Sequence, residues 1–205
     1  MKPQEIEDLS FEIIAEEAGD HGFNEMEWPV VRRMIHTSAD FEYIKTIRFN
    51  KNAVAKGIEA IQTGCRIVTD TNMARVGTRK KEIEFFGGTV SCLISDPAVA
   101  KQAKKNGTTR ALAACDVACE TLGKGIYVIG NAPTALLRLI DLIKEGKAAP
   151  ALVLGFPVGF VNAAESKDAL MELDIPYITN KGRKGGSNIA ASVVNALAIA
   201  AYAGR

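Results

Sequence analysis

The sequence predicts an α/β fold: a three-layer α/β/α sandwich around a mainly parallel five-stranded sheet, with an N-terminal helical preface. Two observations carry this prediction. Short runs rich in branched residues alternate with helical patterns beyond residue 65, which is typical of strand-helix-strand units. An apolar run over residues 152–155 also leads directly into a loop rich in glycine and proline, as a buried parallel strand does.

We interpret residues 1–205 as a single domain. The chain is 47% hydrophobic, which is enough for a well-buried core at this length, and no segment resembles a long flexible linker. The formal net charge of +1 argues against a protein that binds duplex nucleic acid, because such proteins carry a basic surplus. Any preference for charged ligands must therefore be local.

Three helical patterns precede the first predicted strand and form the helical preface. They cover residues 3–18, 26–37 and 50–63, with Asn50 as the predicted N-cap of the third. We expect these helices to cover one face of the sheet or to contact a second subunit.

The five predicted strands are runs of β-branched and aromatic residues bounded by turn residues. They cover residues 66–70, 89–94, 126–130, 151–155 and 176–179. After the third strand, Pro133 suits the first turn of a helix and Gly146 ends it. A further helix over residues 165–173 joins the last two strands, which makes the connections those of a parallel sheet.

The chain shows no signal for a membrane segment. Its first residues are polar and acidic, unlike a signal peptide. The longest apolar stretch, residues 189–203, is interrupted by Asn195 and is shorter than the roughly 18 to 20 residues that a bilayer requires. We therefore expect this stretch to form a buried or interface helix.

The four cysteines, Cys65, Cys92, Cys115 and Cys119, lack the CxxC spacing of zinc sites. Cys115 and Cys119 would lie one turn apart on a helix, where packing as small apolar residues is favoured over metal binding. We expect reduced thiols, a cytoplasmic protein and no bound metal.

His36 is the better of two candidate acids. It lies at the end of a predicted helix, and Thr37, Ser38 and Asp40 follow closely enough to orient its ring. A histidine at this place also commonly stabilises the helix C-terminus through the dipole, so the residues alone leave both roles open.

The last loop, residues 180–188, combines three cations and three glycines before a helix N-terminus, which favours an anionic ligand such as a phosphate or a carboxylate. A solvated basic turn is the alternative. Further cations occur at residues 75–81, 108–110 and 32–33, and a ligand with many carboxylates would explain them in a chain that is neutral overall. The phosphate fingerprints GxxxxGK[ST] and GxGxxG are absent, so a nucleotide-dependent transferase is a weak alternative.

Two aspartates follow predicted strands at the edge where ligands collect in such sheets. Asp96 precedes Pro97 and is predicted to cap the helix that begins there. We expect Asp70 to cap the next helix in the same way. Neither residue indicates a carboxylate pair or a metal site.

Four segments together resemble the precorrin-8X methylmutase family. They are residues 33–41 (RMIHTSADF), 130–136 (GNAPTAL), 155–167 (GFPVGFVNAAESK) and 182–187 (GRKGGS). The likeness extends through nearly the whole chain, and the second and third segments are long enough to be specific. Ala39 is a departure, because the family often has glycine there; we expect little effect unless that position requires a positive φ.

The resemblance implies a cofactor-free isomerase of corrin biosynthesis that moves a methyl group from C-11 to C-12 of the macrocycle. The product would be of the cobyrinate or hydrogenobyrinate type. The histidine of the matching motif is the family's proposed acid, so His36 would protonate or hydrogen-bond the ring nitrogen nearest the migrating methyl. Residues 36–41 are closer to members that act on the cobalt-containing substrate, although the sequence leaves open whether cobalt is present.

The resemblance also implies a substrate-binding set. Ser10, Thr78, Arg79 and Arg110 match family positions near the substrate, whose acetate and propionate arms supply carboxylates. The loops add Thr37, Asn131, Gly155, Pro157, Lys181 and Arg183 to this set. We expect Phe156, Pro157 and Phe160 to offer apolar surface to the macrocycle.

A homodimer is the oligomeric state that the resemblance implies, and hand-over of product to neighbouring corrin-pathway enzymes is left open. The main alternative function is a corrinoid carrier that holds the tetrapyrrole without isomerising it, because the same pocket and arginines would serve. His36 distinguishes the two functions.

Overall fold

The computed structural model describes residues 2–204, in which six strands form one sheet. The strands are β1 (Ile47–Asn50), β2 (Arg66–Thr69), β3 (Thr89–Ser91), β4 (Ile126–Ile129), β5 (Leu152–Gly155) and β6 (Tyr177–Asn180). Their order across the sheet is β1-β6-β5-β4-β2-β3. Every neighbouring pair is parallel except β1 and β6.

The helices surround this sheet. They are α1 (Pro3–Ala18), α2 (Trp28–Ser38), α3 (Tyr43–Thr46), α4 (Ala53–Gln62), α5 (Asn72–Gly77), α6 (Lys80–Phe85), α7 (Pro97–Asn106), α8 (Arg110–Leu122), α9 (Pro133–Lys144), α10 (Ala163–Met171) and α11 (Ser187–Ala203).

Side chains alternate along the strands between two helical layers. On one face, Ile67, Leu154 and Ile178 share a core with α2, α4 and α11. On the other face, Val68 and Val153 share a core with α8, α9 and α10. The predicted three-layer α/β/α sandwich is confirmed.

The sequence prediction missed β1, so the sheet has six strands and not five. This strand is four residues long, lies at the edge of the sheet and pairs antiparallel with β6. Asn50 ends β1 and is not a helix cap; the next helix begins at Ala53, after Asn52. A short edge strand that is only half-buried carries little periodic signal.

The predicted apolar helix is α11, which is buried along most of its length between α2, α4 and α5. The preface is divided: α2 and α4 help to cover the sheet, whereas α1 packs on the outside of α2. The described residues include no helix that is both long and apolar enough to cross a membrane.

Candidate active site

Several of the predicted site residues lie where the parallel strands end. Asn131 follows β4, Gly155 ends β5 and Lys181 follows β6. Arg110 begins α8, and the hydroxyl of its neighbour Thr109 lies 3.1 Å from the hydroxyl of Thr134 in the first turn of α9. The carboxyl edge of a parallel sheet is where ligands bind in such folds.

Asp70 shapes the loop after β4. Its carboxylate accepts backbone N–H groups from Gly130, Asn131 and Ala132 at 2.8 to 2.9 Å. The expectation that Asp70 caps the next helix is wrong: Thr71 caps α5 through Ala74 N–H. Burial raises the pKa of Asp70, and the three donated hydrogen bonds oppose that rise. By contrast, Asp96 caps α7 as predicted.

The glycines of the strand ends are required for internal packing. A Cβ on Gly130 would stand 2.7 Å from the Cα of Ser187, at the start of α11. A Cβ on Gly155 would stand 2.6 Å from Leu170 of α10. These glycines let helices approach the sheet closely, which fixes where the site loops begin.

Residues 156–162, the glycine loop, contain both buried and exposed apolar side chains. Phe156 is fully buried and Pro157 is also buried, so the expectation that these two side chains offer surface to a ligand is wrong. Phe160 is 84% exposed, and the Arg183 guanidinium lies over its ring at 5.6 Å. Phe160 is therefore the aromatic ring of this loop that is open to a ligand.

Residues 180–188, the basic loop, pack against the glycine loop through the backbone. Gly186 N–H donates to Phe156 O at 2.9 Å, and Gly159 N–H donates to Arg183 O at 3.2 Å. Lys181 and Arg183 point to solvent as exposed cations. They are available to carboxylates of a ligand.

His36 lies in the last turn of α2 with its side chain exposed. The Phe11 ring of α1 lies against it, with 5.1 Å between ring centroids. Ser10 and His36 line one open pocket of about 290 Å³ between α1 and the end of α2. The packing of α1 on α2 therefore brings together two site residues that are far apart in sequence.

The neighbours of His36 have other hydrogen-bond partners. Ser38 Oγ donates to Met34 O, and Asp40 accepts from Glu42 N–H and from Lys184. The expectation that Ser38 and Asp40 orient the imidazole is therefore not what this geometry shows. These bonds instead fix the turn that follows the helix.

Thr37 lines a groove between α2, α5 and α11, together with Gly77 and Asn188. Thr78 comes directly after Gly77, is buried and donates its hydroxyl to Arg75 O at 2.8 Å. Because Asn188 lies in the first turn of α11, this groove adjoins the basic loop.

Arg79 is held by the protein itself. Its backbone N–H donates to Asn195 Oδ1 at 2.7 Å, and its guanidinium pairs with the Glu82 carboxylate at 2.5 Å. About half of the Arg79 side chain remains exposed, which leaves room for a second anionic partner.

Sequence reasoning did not single out Lys167, and it counted Lys184 only as one of the three cations of the basic loop. Lys167 is fully buried on α10, although it is a lysine. Its position four residues after Ala163 and three before Leu170, both buried, was the available signal. Lys184 belongs to the basic loop but pairs with Asp40 and Glu42.

Cys115 lies in the core, and Cys119 packs against the same cluster, as expected for reduced cysteines that act as apolar residues. Within residues 2–204, no three His, Cys, Asp or Glu side chains are placed to hold a metal ion together.

Comparisons with known proteins identify the family. The family model described as precorrin-8X methylmutase matches residues 5–200. A cobalt-precorrin-8 methylmutase of Priestia megaterium is 50% identical, covering 100% of this chain and 91% of its own. A precorrin-8X methylmutase of Sinorhizobium is 37% identical, covering 94% of this chain and 92% of its own.

A solved structure agrees with this assignment. The precorrin-8X methyl mutase of Thermus thermophilus is 47% identical and superposes with a TM-score of 0.90, covering 97% of this chain and 98% of that one. Sequence and fold therefore match along the whole molecule, and the chain belongs to the precorrin-8X methylmutase family.

Proposed function

We propose that the chain is a cobalt-precorrin-8 methylmutase that moves a methyl group from C-11 to C-12 of the macrocycle, giving a cobyrinate-type product. Family membership makes it an isomerase of cobalamin biosynthesis. The relatives support a cobalt-containing substrate. The cobalt-precorrin-8 methylmutase of Priestia megaterium is more similar to this chain than the precorrin-8X methylmutase of Sinorhizobium is.

The observation that carries the proposal is the open pocket that contains His36 and Ser10. The imidazole is exposed at the end of α2, so a ring nitrogen of a macrocycle can reach it from solvent. A proton or hydrogen bond at that nitrogen withdraws electron density from the conjugated ring. The methyl shift is thereby eased without an external methyl donor.

General acid catalysis by His36 accounts for only part of the rate, typically about 10²- to 10⁴-fold. The remainder must come from holding the macrocycle in a reactive shape. We expect the exposed cations Arg110, Lys181 and Arg183 to bind the carboxylate arms and Phe160 to offer an aromatic face. In this proposal the strand-end loops shape and orient the substrate, and His36 supplies the proton.

The test asks whether the purified protein converts cobalt-precorrin-8 with no added cofactor. The change in absorption of the macrocycle is the readout of conversion. His36→Ala should lose about 10²-fold or more of turnover while it keeps its affinity for product. His21→Ala is the matched control, since His21 is the other histidine and stacks on Trp28 away from the pocket. Full turnover by His36→Ala would contradict the acid role. Binding without conversion by the wild-type protein would favour the carrier function.

A homodimer also belongs to this proposal. Ile6, Leu9 and Ile13 form an exposed apolar stripe on α1, each more than 40% exposed. Such a stripe at helical spacing supports burial against a second copy. Light scattering of the purified protein tests this expectation. Cytoplasmic location and hand-over of product to neighbouring enzymes stay predictions.

A further inference from the structure

Lys184 is the cation of the basic loop whose ammonium group already pairs with two carboxylates of the protein. Its ammonium lies 2.5 Å from Asp40 Oδ2 and 2.8 Å from Glu42 Oε2. Asp40 and Glu42 belong to the histidine turn, which we define as residues 36–42. The side chain of Lys184 therefore joins the basic loop to the segment that begins with His36.

The backbone of Lys184 is fixed from the opposite side. Its carbonyl oxygen accepts Lys167 Nζ at 2.6 Å and Asn180 Nδ2 at 3.0 Å. Lys167 is fully buried, so its ammonium cannot leave this oxygen for water without opening the structure. One residue thus receives two buried donors on its main chain and makes two ion pairs with its side chain.

The histidine turn is ordered by the same contacts. Glu42 N–H donates to Asp40 Oδ1 at 3.0 Å while Asp40 Oδ2 faces Lys184. A second tie lies close by, since Lys181 N–H donates to Thr46 O at 2.9 Å. The basic loop therefore holds residues 40–46 at two points: Asp40 and Glu42 lie just after α2, and Thr46 ends α3.

Stability is not the main consequence of these ion pairs. The Lys184 side chain is 46% exposed, and exposed ion pairs contribute little to the free energy of unfolding. Their geometric consequence is larger, because they fix the basic loop, which carries Lys181 and Arg183, relative to His36. An acid that must meet one ring nitrogen needs that relative placement.

We propose that Lys184 is a positioning residue: it holds the histidine turn in register with the basic loop, so that a macrocycle bound through its carboxylates meets the imidazole of His36. The inference rests on the proposed function. It assigns no direct contact with substrate to Lys184, in contrast to Lys181 and Arg183.

The test compares three variants in two measurements. Steady-state kinetics give kcat and KM, and titration of the protein with product, followed by the absorption of the product, gives the affinity for product. Lys184→Met keeps the length of the side chain and removes the charge; because both ion pairs are partly exposed, we expect kcat to fall about 3- to 10-fold. Product affinity and KM should stay within about 2-fold of wild type. Lys184→Arg should restore most of the turnover. Lys56→Met, which removes an exposed ion pair with Glu59 on α4, is the matched control and should behave as wild type.

The double variant His36→Ala/Lys184→Met separates positioning from general damage. If Lys184 acts through His36, the second substitution lowers turnover no further than His36→Ala alone. If Lys184→Met does not fold, Asp40→Asn/Glu42→Gln removes the same ion pairs from the other side and should show the same loss of kcat.

Unchanged kcat in Lys184→Met would overturn the inference, and so would a product affinity weakened more than about 10-fold, which would make Lys184 a substrate-binding residue. Additive losses in the double variant would overturn it as well. The proposed function fails differently, through an inactive wild type or an active His36→Ala. The two failures are therefore distinguishable in one set of measurements.

Discussion

Asp70, which follows β2, accepts the backbone N–H of Asn131, which follows the neighbouring strand β4, at 2.9 Å. The same carboxylate accepts the N–H groups of Gly130 and Ala132, so it holds the loop between β4 and α9 from another strand. This carboxylate therefore fixes the backbone that leads into α9.

Asp70→Asn should therefore be destabilising, because the amide places N–H groups against backbone donors. We expect the free energy of unfolding in urea to fall by about 1 to 3 kcal/mol. Asp96→Asn is the matched control: Asp96 is an ordinary cap of α7, and asparagine caps a helix equally well. Equal stability of the two variants would contradict the role assigned to Asp70.

Ala39 occupies a backbone conformation that suits glycine. It follows α2 with φ 53° and ψ 30°, which is the left-handed region. Ala39→Gly should raise the free energy of unfolding by about 0.5 to 1 kcal/mol, because the strain of a Cβ there exceeds the extra entropy of glycine in the unfolded chain. Thermal unfolding measures the change. The reverse substitution Gly107→Ala, at φ 64° after α7, should lower stability by a similar amount, and a stability loss in Ala39→Gly would refute the strain argument.

The buried ammonium of Lys167 should make stability depend on pH. Burial lowers the pKa of Lys167 to about 8 from 10.5. Between these pH values the unfolded chain binds more protons than the folded chain, so the free energy of unfolding contributed by this group rises with pH. Across this pH range the free energy of unfolding contributed by Lys167 changes by on the order of 3 kcal/mol.

Lys167→Met removes this dependence. The stability of wild type relative to Lys167→Met should rise between pH 7 and about pH 10, as measured by urea unfolding at each pH. Lys101→Met, at an exposed position of α7, controls for the loss of one surface cation. Parallel stability curves for wild type and Lys167→Met would show that the ammonium does not titrate as its burial implies.

Gly185 marks where the basic loop and the glycine loop touch. A Cβ at this position would stand 2.3 Å from Phe156 O and 2.7 Å from Pro157 O, and these backbone atoms cannot move aside cheaply. Gly185→Ala should lower the free energy of unfolding by more than about 2 kcal/mol and should lower turnover as well.

Gly182→Ala in the same loop is the matched control. Its φ of 82° is strained for alanine, but no atom lies within 4 Å of the new Cβ, so we expect the free energy of unfolding to fall by only about 1 kcal/mol. A milder effect at Gly185 than at Gly182 would contradict the steric argument.

The central strands and their helices could be predicted because burial on both faces leaves continuous apolar runs, as in β4 and β5. The edge strand β1 could not, because it has four residues and only the first, Ile47, is buried. The boundaries of α2 and α10 differ from prediction by two residues or fewer at each end. Such shifts are usual where caps decide the ends.

The site was only partly predictable, because some of its contacts form only when distant parts of the chain pack together. His36 stands out because few side chains titrate near neutrality, and the basic loop stands out by its charge. Other contacts depend on tertiary packing: Ser10 and His36 line one pocket because α1 packs on α2, and Asp70 accepts hydrogen bonds from the end of a neighbouring strand. No spacing in the sequence encodes those contacts.

The antiparallel pairing of β1 with β6 also has a consequence for the order of folding. Ile47 lies opposite Asn180, so the segment after His36 and the start of the basic loop are joined only when chain segments far apart in sequence meet. Contacts of this kind form slowly, because a long loop must close first. During refolding we expect helix content to recover early and corrinoid turnover to appear only in the last step, when the edge strand docks.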